Sequence, residues 1–282
     1  MRSETMICFD NHLHLRRDGR FLEAIKEFQV VGGTHFVLCQ YPMPNIVLKE
    51  KSYQSCYQET LKMAEEIRTS LKIGVFVVVG PYPVDLLTLQ ETLGRDSALS
   101  IMRKGMEEAA RLCKDHHCIA IGEIGRPHFP VDPQILKDSN DLLMYGMAQA
   151  KDADVPVVLH TESTSPTQCR ELVEMGRKAG LPPDRIVKHF APPLITPEEN
   201  SGLMPSVLST RRNITEALRK GTRFLMETDY IDDLNRPGAV LATRSVPKLT
   251  KNLLQENLLL EKQAYTIHVE NPRSTYHIDL EQ

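Results

Sequence analysis

Short apolar runs recur along the chain, and a segment with helical spacing of apolar residues follows each of them. The runs are rich in β-branched residues, and the alternation of such runs with helices is typical of a parallel sheet built from βα units. Eight runs have this character. They are "MICF" (6–9), "THFVLCQ" (34–40), "IGVFVVV" (73–79), "CIAIGEIG" (118–125), "PVVLHTES" (156–163), "RIVKHFAP" (185–192), "LMPSVLS" (203–209) and "RFLMETD" (223–229).

The segments between the runs predict amphipathic helices. The first, over 20–33, carries apolar residues at helical spacing and ends in two glycines. The others are predicted over 53–71, around Leu86 and Met106, and over 140–153, 166–180 and 210–221. The seventh run is the least regular, because Pro205 disfavours a central strand although proline is tolerated at a strand's first residues.

Eight strand and helix units in 282 residues predict a single-domain (β/α)8 TIM-like barrel over residues 1–282. The C-terminal helical region, from Val246 to Tyr276, is then expected to close the outer ring. An open doubly wound sheet is the alternative architecture. The sequence has no internal repeat and no Gly/Ser linker, and this favours one domain over two.

Charge, hydropathy and cysteine content indicate which classes of protein the chain does not resemble. The formal net charge of -3 gives no global positive field of the kind that proteins coating nucleic acid carry. No leader-like segment and no run of about 18 uncharged apolar residues is present, so we expect a soluble, cytoplasmic protein without a membrane role. The six cysteines are scattered, and we expect free, mostly buried thiols.

Ionisable residues stand at the carboxyl ends of five of the eight predicted strands. In a barrel these ends share one face, which is where TIM barrels place their active sites. The residues are His12 and His14 after the first strand, Glu123 after the fourth, His160 after the fifth, His189 after the sixth and Asp229 after the eighth.

This set predicts a centre for two divalent metals. His12 and His14 are two residues apart, so their side chains point the same way if the first strand reaches His14. Imidazoles bind divalent metals, and carboxylates neutralise the charge and can bridge two ions. A lone H-x-H pair is a weak signal, and a single histidine at a strand end is more often a polar group satisfied by a neighbour. Because five separate strands each end in a residue that can bind a metal, the metal interpretation is favoured.

The same residues, in the same order, resemble the TatD-related metal-dependent hydrolases of the amidohydrolase superfamily. The resemblance runs from "FDNHLHL" through "IGEIG", "VVLH", "IVKH" and "METD" to "VENPRS" near the C-terminus. It implies a TIM-like barrel that holds two divalent metals, Mg²⁺, Mn²⁺ or Zn²⁺. The implied ligands are His12, His14 and Asp229 for one metal, His160 and His189 for the other, and Glu123 as the bridge.

The resemblance also implies an activity. Members of this family hydrolyse DNA, usually from the 3' end and commonly with Mg²⁺. Asp229 would orient or deprotonate the attacking water. This chain departs from the family at Glu162, where an arginine that meets a phosphate is common. Arg126 and His128, on the loop after Glu123, are candidate contacts for an anionic substrate, and a solvated loop is the alternative for both.

Two further groups are set aside. The segment "CKDHHC" (113–118) holds four metal-ligand residues, but its spacing does not match that of structural zinc sites and it precedes the fourth strand, at the opposite end of the barrel. Lys188, beside His189, is expected to face the helices because neighbouring strand residues point opposite ways. Asp232 and Asp233 are expected to cap the final loop or to face water.

The sequence therefore predicts a hydrolase in which a metal-bridged hydroxide attacks a phosphoester, with DNA as the first substrate and Glu123 and Asp229 as catalytic residues. A first alternative keeps the centre and cleaves an amide, a lactone or a carboxylic ester. A second is a metal-dependent binding protein without hydrolytic activity. A basic groove beside the metals would favour DNA, and a small apolar pocket would favour the first alternative. The oligomeric state is left open.

Overall fold

Nine parallel strands form the centre of the molecule in the computed structural model, which describes residues 6–280. The strands are β1 (Phe9–His14), β2 (His35–Cys39), β3 (Gly74–Val79), β4 (Ala120–Gly125), β5 (Val157–His160), β6 (Ile186–Ala191), β7 (Met204–Leu208), β8 (Leu225–Glu227) and β9 (Tyr230–Ile231). They form one sheet, in the order β8-β7-β6-β5-β4-β3-β2-β1-β9.

The eighth apolar run closes the sheet on itself. Its first part, β8, pairs with β7, and its second part, β9, pairs with β1 through Leu13 opposite Tyr230 and His14 opposite Ile231. Between the two parts, the backbone N–H of Asp229 donates to the carbonyl oxygen of His12 over 2.9 Å. The sheet therefore curls into a TIM-like (β/α)8 barrel, as the strand pattern predicted.

Twelve α-helices surround the sheet in the described part of the chain, and none of them is long and apolar enough to cross a membrane. They are α1 (Leu22–Val30), α2 (Pro44–Glu50), α3 (Gln54–Leu71), α4 (Asp85–Leu93), α5 (Arg95–Lys114), α6 (Pro133–Asp152), α7 (Pro166–Ala179), α8 (Pro197–Asn200), α9 (Arg211–Lys220), α10 (Ser245–Gln255), α11 (Glu261–Tyr265) and α12 (Asn271–Tyr276). A π-helical turn, Thr266–Glu270, joins the last two.

Two strands of the structure differ from what their apolar runs suggest. The first strand begins at Phe9 rather than at Met6, so most of the run "MICF" precedes it. Pro205 lies inside β7, a strand with neighbours on both sides, and is opposite Lys188 in the ladder with β6. The residues around Pro205 supply the pairing, with Met204 opposite Val187 and Ser206 opposite Leu225.

Alternation along the strands sets two layers of core. In β5, Val157 and Leu159 pack against the helices while Val158 belongs to the cluster inside the barrel. In β6, Ile186 packs outward and Val187 inward. The same alternation continues along both strands, so the side chains of His160 and His189 also point into the barrel. The C-terminal segment contributes Val269, Tyr276 and Leu280 to the inner cluster, so it packs on the barrel interior as well as on the outer ring.

Candidate metal centre

Glu123 lies at the middle of four histidines at the carboxyl end of the barrel. Its Oε1 is 3.1 Å from Nδ1 of His160, 3.4 Å from Nε2 of His189 and 3.6 Å from Nε2 of His12. Its Oε2 is 3.5 Å from Nε2 of His14. The structure thus brings residues from β1, β4, β5 and β6 to one point, the arrangement that the sequence predicts.

Asp229 reaches the same point from the junction of β8 and β9. Its Oδ1 is 3.9 Å from Nε2 of His12 and 3.8 Å from Nε2 of His14. Asp229 has a φ of 47°, a conformation that aspartate tolerates better than most residues. This turn lets its backbone bond β1 while its carboxylate faces the two imidazoles.

Hydrogen bonds orient the two histidines of β1. Nδ1 of His14 is 3.1 Å from the carbonyl oxygen of Cys39, which only accepts, so Nδ1 carries the proton and Nε2 offers a lone pair to the centre. Nδ1 of His12 is 3.3 Å from the thiol sulfur of Cys39, and its Nε2 is 3.1 Å from Nε2 of His14. Both rings therefore present Nε2 inward, as metal-binding imidazoles held by an outer partner do.

Glu227 is a site residue for which the sequence analysis assigned no role. Its Oε1 is 3.0 Å from Nδ1 of His189, but the two atoms do not form a regular hydrogen bond. The same oxygen accepts a hydrogen bond from the backbone N–H of Phe190 over 2.7 Å. Ser206 donates to its other oxygen. Glu227 is fully buried and stands two residues before Asp229, so strand alternation was a signal that could have found it.

His160 contacts the mouth of the site. Its Nε2 is 2.9 Å from Nδ1 of His128 and 3.3 Å from the hydroxyl of Tyr82, while its Nδ1 faces Glu123. His128 is exposed and lies on the loop after β4. Of the two loop residues predicted to contact substrate, His128 is the one beside a candidate ligand.

Arg126 has several partners of its own. Its guanidinium donates to both carboxylate oxygens of Glu162, over 2.6 and 2.9 Å, and to Glu171 over 2.8 Å and Asn140 over 3.1 Å. The residue is only 4% exposed. Glu162, which stands where family members often have an arginine, thus pairs with Arg126 in this chain. Substrate binding by Arg126 stays a prediction, and it requires the guanidinium to exchange a carboxylate for the substrate.

Burial favours the neutral form of three of the imidazoles. Desolvation lowers the pKa of His12, His14 and His189 below the ordinary value, and neutral imidazole is the form that binds metals. Burial alone would raise the pKa of Glu123, but the surrounding imidazoles hold it below the ordinary range. The pKa of Asp229 is raised, first by burial and then by the charge of Glu123. The pKa of Glu123 is therefore shifted towards the ionised form, while that of Asp229 is shifted towards the protonated form.

These donors fit divalent metals. Two atoms bound to one ion at about 2.1 Å are roughly 3.4 Å apart in tetrahedral geometry, close to the separations of 3.1–3.9 Å found here. Within residues 6–280, three groups place their ligand atoms within 4.8 Å of one another: His12, His14 and Glu123; Glu123, His160 and His189; and His12, His189 and Glu227. Two of the groups share Glu123, the residue predicted as the bridge.

A cavity of about 370 Å³, called the central cavity here, opens above these residues. Its lining residues are His14, Tyr41, Pro42, Tyr82, Glu123, His128, His160, His189, Asp229, Ile231 and Arg236. The tyrosines and Arg236 were not singled out in the sequence, because they lie on loops whose approach to the site is set by tertiary structure. Arg236 pairs with Asp233 over 3.0 Å.

The residues that were set aside have structural partners. Asp232 is buried and accepts from the backbone N–H groups of Arg20 and Phe21 over 2.8 and 2.9 Å, so it caps the loop after β1. Lys188 is buried outside the central cavity, and its ammonium donates to the carbonyl oxygen of His189. The segment 113–118 spans the end of α5 and the turn before β4, as expected. All six cysteines are free and buried.

A parallel barrel with four histidines and two carboxylates on its carboxyl face is typical of metal-dependent hydrolases. The chain belongs to the family described as TatD related DNase, whose model matches residues 9–277. The match to this hydrolase family covers nearly the whole barrel.

One relative and two solved structures are similar to this chain over nearly its whole length. The chain is 34% identical over 275 residues to the uncharacterized protein MJ1127 of Methanocaldococcus jannaschii, with 96% of each chain covered. A phosphotriesterase homology protein of Escherichia coli, solved with phosphate in its active site, has a TM-score of 0.62 at 12% identity, covering 97% of this chain and 99% of its own. A mutant PTE-like lactonase of Deinococcus radiodurans has a TM-score of 0.65 at 14% identity, covering 96% of each chain. These two structures share the fold.

Proposed function

We propose that the protein is a two-metal hydrolase that cleaves phosphoester bonds, with the 3' end of DNA as its first substrate. The observation that carries the proposal is the position of Glu123, whose carboxylate lies within 3.6 Å of a ring nitrogen of each of the four histidines. One carboxylate among several imidazoles is an arrangement that suits a pair of adjacent divalent metals. The family match supports DNA as the substrate.

The ligand sets that we propose are those that the family resemblance implies. His12, His14 and Asp229 would hold one metal, His160 and His189 the other, and Glu123 both. When bound, the metals would lower the pKa of a water molecule and neutralise charge on the phosphoryl oxygens. Asp229, which lines the central cavity, would orient the attacking water and take its proton.

The first experiment measures nucleotide release from 3'-labelled single-stranded DNA with Mg²⁺ or Mn²⁺. Asp229→Asn should abolish release because the variant loses both the charge and the base. Asp154→Asn is a matched control, since Asp154 lies before β5 at the opposite end of the barrel and its side chain is 90% exposed. Release that Asp154→Asn keeps and Asp229→Asn loses supports the proposal. No release from protein shown to contain two metals per chain rejects DNA as the substrate.

A second candidate is hydrolysis of a lactone or another carboxylic ester at the same centre. The observation that favours it is the charge around the central cavity: Arg126 is engaged by Glu162 and Glu171, and Arg236 by Asp233. A polynucleotide is usually held by cations free to meet its phosphates. Metal-dependent opening of a lactone ring by protein that does not cleave DNA would select this candidate.

We also propose that the protein works in the cytoplasm. Its six cysteines are free and buried, and free thiols persist where the compartment is reducing. Measuring the protein in cytoplasmic and membrane fractions would test this location.

A further inference from the structure

A second cavity of about 360 Å³, called the side pocket here, lies beside the central cavity. Loops after β1 and β2 form it together with α2 and α3. Its lining residues are Leu15, Arg16, Arg17, Asp18, Tyr41, Pro42, Met43, Pro44, Asn45, Ile46, Glu59 and Met63. The volume is within the range of small-molecule sites, about 300–1000 Å³.

The surface of the side pocket is mainly apolar. Leucine, isoleucine, two prolines and two methionines line it, and methionine side chains adapt to ligands of different shape. The charged residues among its lining already pair with one another. Arg16 donates to Asp18 over 2.6 Å, and Arg17 donates to Glu59 over 2.7 Å. The pocket therefore suits an uncharged apolar group better than an anion.

Tyr41 connects the side pocket with the metal centre. Tyr41 and Pro42 line both cavities. The ring of Tyr41 meets the candidate ligand His14 edge to face, with ring centroids 6.3 Å apart, and the guanidinium of Arg16 lies 5.0 Å from the same ring centroid. A molecule that reaches the metals and extends past Tyr41 would therefore enter the side pocket.

We propose that the side pocket is a substrate subsite that binds an apolar hydrocarbon group attached to the ester that the metal centre cleaves. The proposal rests on the hydrolytic metal centre that both candidate functions share, and it favours the second candidate, because DNA carries no such hydrocarbon group. The scissile ester lies in the central cavity beside Glu123 and Asp229, and the hydrocarbon passes Tyr41 to contact Met43, Ile46 and Met63.

The test compares two probes with the same head group, methylphosphonate and hexylphosphonate, by calorimetric titration into the metal-loaded protein. Each buried methylene strengthens binding about fourfold, so hexylphosphonate should bind at least about tenfold more tightly if its chain enters the pocket. Equal affinities, or binding of neither probe, would overturn the proposal. The readout is binding, so it does not depend on turnover.

Two variants locate the effect. Ile46→Asp puts a charge in the lining at a side chain that is already 37% exposed, and Met43→Trp fills the pocket. Each should bring the ratio of the two affinities close to one. Val30→Asp is the control, because Val30 is 85% exposed and lines neither cavity. A ratio that stays high in both pocket variants would show that the chain binds elsewhere.

Hydrolysis assays separate this proposal from the function on which it rests. Paired substrates, methyl and hexyl p-nitrophenyl phosphate or the acetate and hexanoate of p-nitrophenol, differ only in the hydrocarbon. Turnover of both members of a pair with equal KM would reject the subsite and leave the hydrolase intact. Preferential binding of hexylphosphonate without turnover of any ester or DNA would reject the proposed function and leave an apolar ligand site.

Discussion

Replacing Glu227 by glutamine tests how the centre holds His189. Glu227 Oε1 faces Nδ1 of His189 at 3.0 Å and the backbone N–H of Phe190 at 2.7 Å, and Ser206 donates to the second oxygen. The glutamine keeps an oxygen for Phe190, but it removes the negative charge beside the imidazole. It also turns an amide N–H₂ towards Ser206, whose oxygen already accepts from Asn11 over 2.9 Å.

The expected magnitude follows from these contacts. Loss of a carboxylate that supports a metal-binding histidine lowers metal affinity about 10- to 100-fold. That range corresponds to about 1.4–2.7 kcal/mol. The Ser206 hydroxyl loses its buried acceptor, which destabilises the fold by about 1–3 kcal/mol. Metal affinity should therefore fall in a protein that still folds.

Calorimetric titration of metal-free protein with Mn²⁺ or Zn²⁺ measures the affinity, and thermal unfolding in the presence of chelator measures the stability. Glu174→Gln is the matched control because Glu174 lies on α7, pairs with Arg177 and is remote from the centre by its place on an outer helix. An affinity within twofold of the wild type for Glu227→Gln would refute the reasoning. His189 would then be held by its packing alone.

Three further substitutions have defined outcomes. His268 is buried and its pKa is lowered to about 4 by burial, so the unfolded chain takes up its proton first as the pH falls from 6.5. The native state should lose about 2 kcal/mol from this group by pH 5, and urea titrations of His268→Gln at pH 7 and pH 5 should lack that loss. Burial raises the pKa of Asp85 to about 7, so its stability contribution is complete below pH 3.8 and is lost as the pH rises through 7. Asp85→Asn keeps an acceptor for Tyr53. At pH 8 its free energy of unfolding should exceed that of the wild type by about 1–4 kcal/mol, so its urea midpoint should be higher. A lower midpoint would contradict this. Arg126→Lys should lose about 1–3 kcal/mol in the same assay, because one ammonium cannot replace the forked contacts with two carboxylates, and an unchanged midpoint would show that those contacts add nothing.

The strand ends could be predicted because parallel strands obey simple rules. Alternation in β5 and β6 was readable from the sequence, and it placed His160 and His189 inside the barrel and Lys188 outside. The common face of the strand ends then brought these histidines to Glu123. No side-chain contact had to be known for this step, since periodicity and chain direction were sufficient.

The contacts made by loops could not be predicted in this way. Arg126 is separated by 36 residues from Glu162 and by 45 from Glu171, and no local pattern relates them. Tyr41 and Tyr82 likewise reach the central cavity from loops after β2 and β3. Such pairings depend on how the loops pack, and loop packing is what distinguishes members of one fold from each other.

The first strand shows why functional elements are the hardest to recognise as structure. Its polar residues are buried because each has a partner inside the barrel: Asp10 accepts from the hydroxyl and the N–H of Thr228, and Asn11 bonds Ser206 and Tyr276. A search for apolar runs therefore stops at Phe9, where the strand begins. The polar residues that interrupt the apolar pattern of β1 also bond this strand to the segment around β8. Asp229 lies in that segment. Closure of the barrel and assembly of the metal centre thus depend on the same set of hydrogen bonds, so the sequence departs from the strand pattern at the place where the site is built.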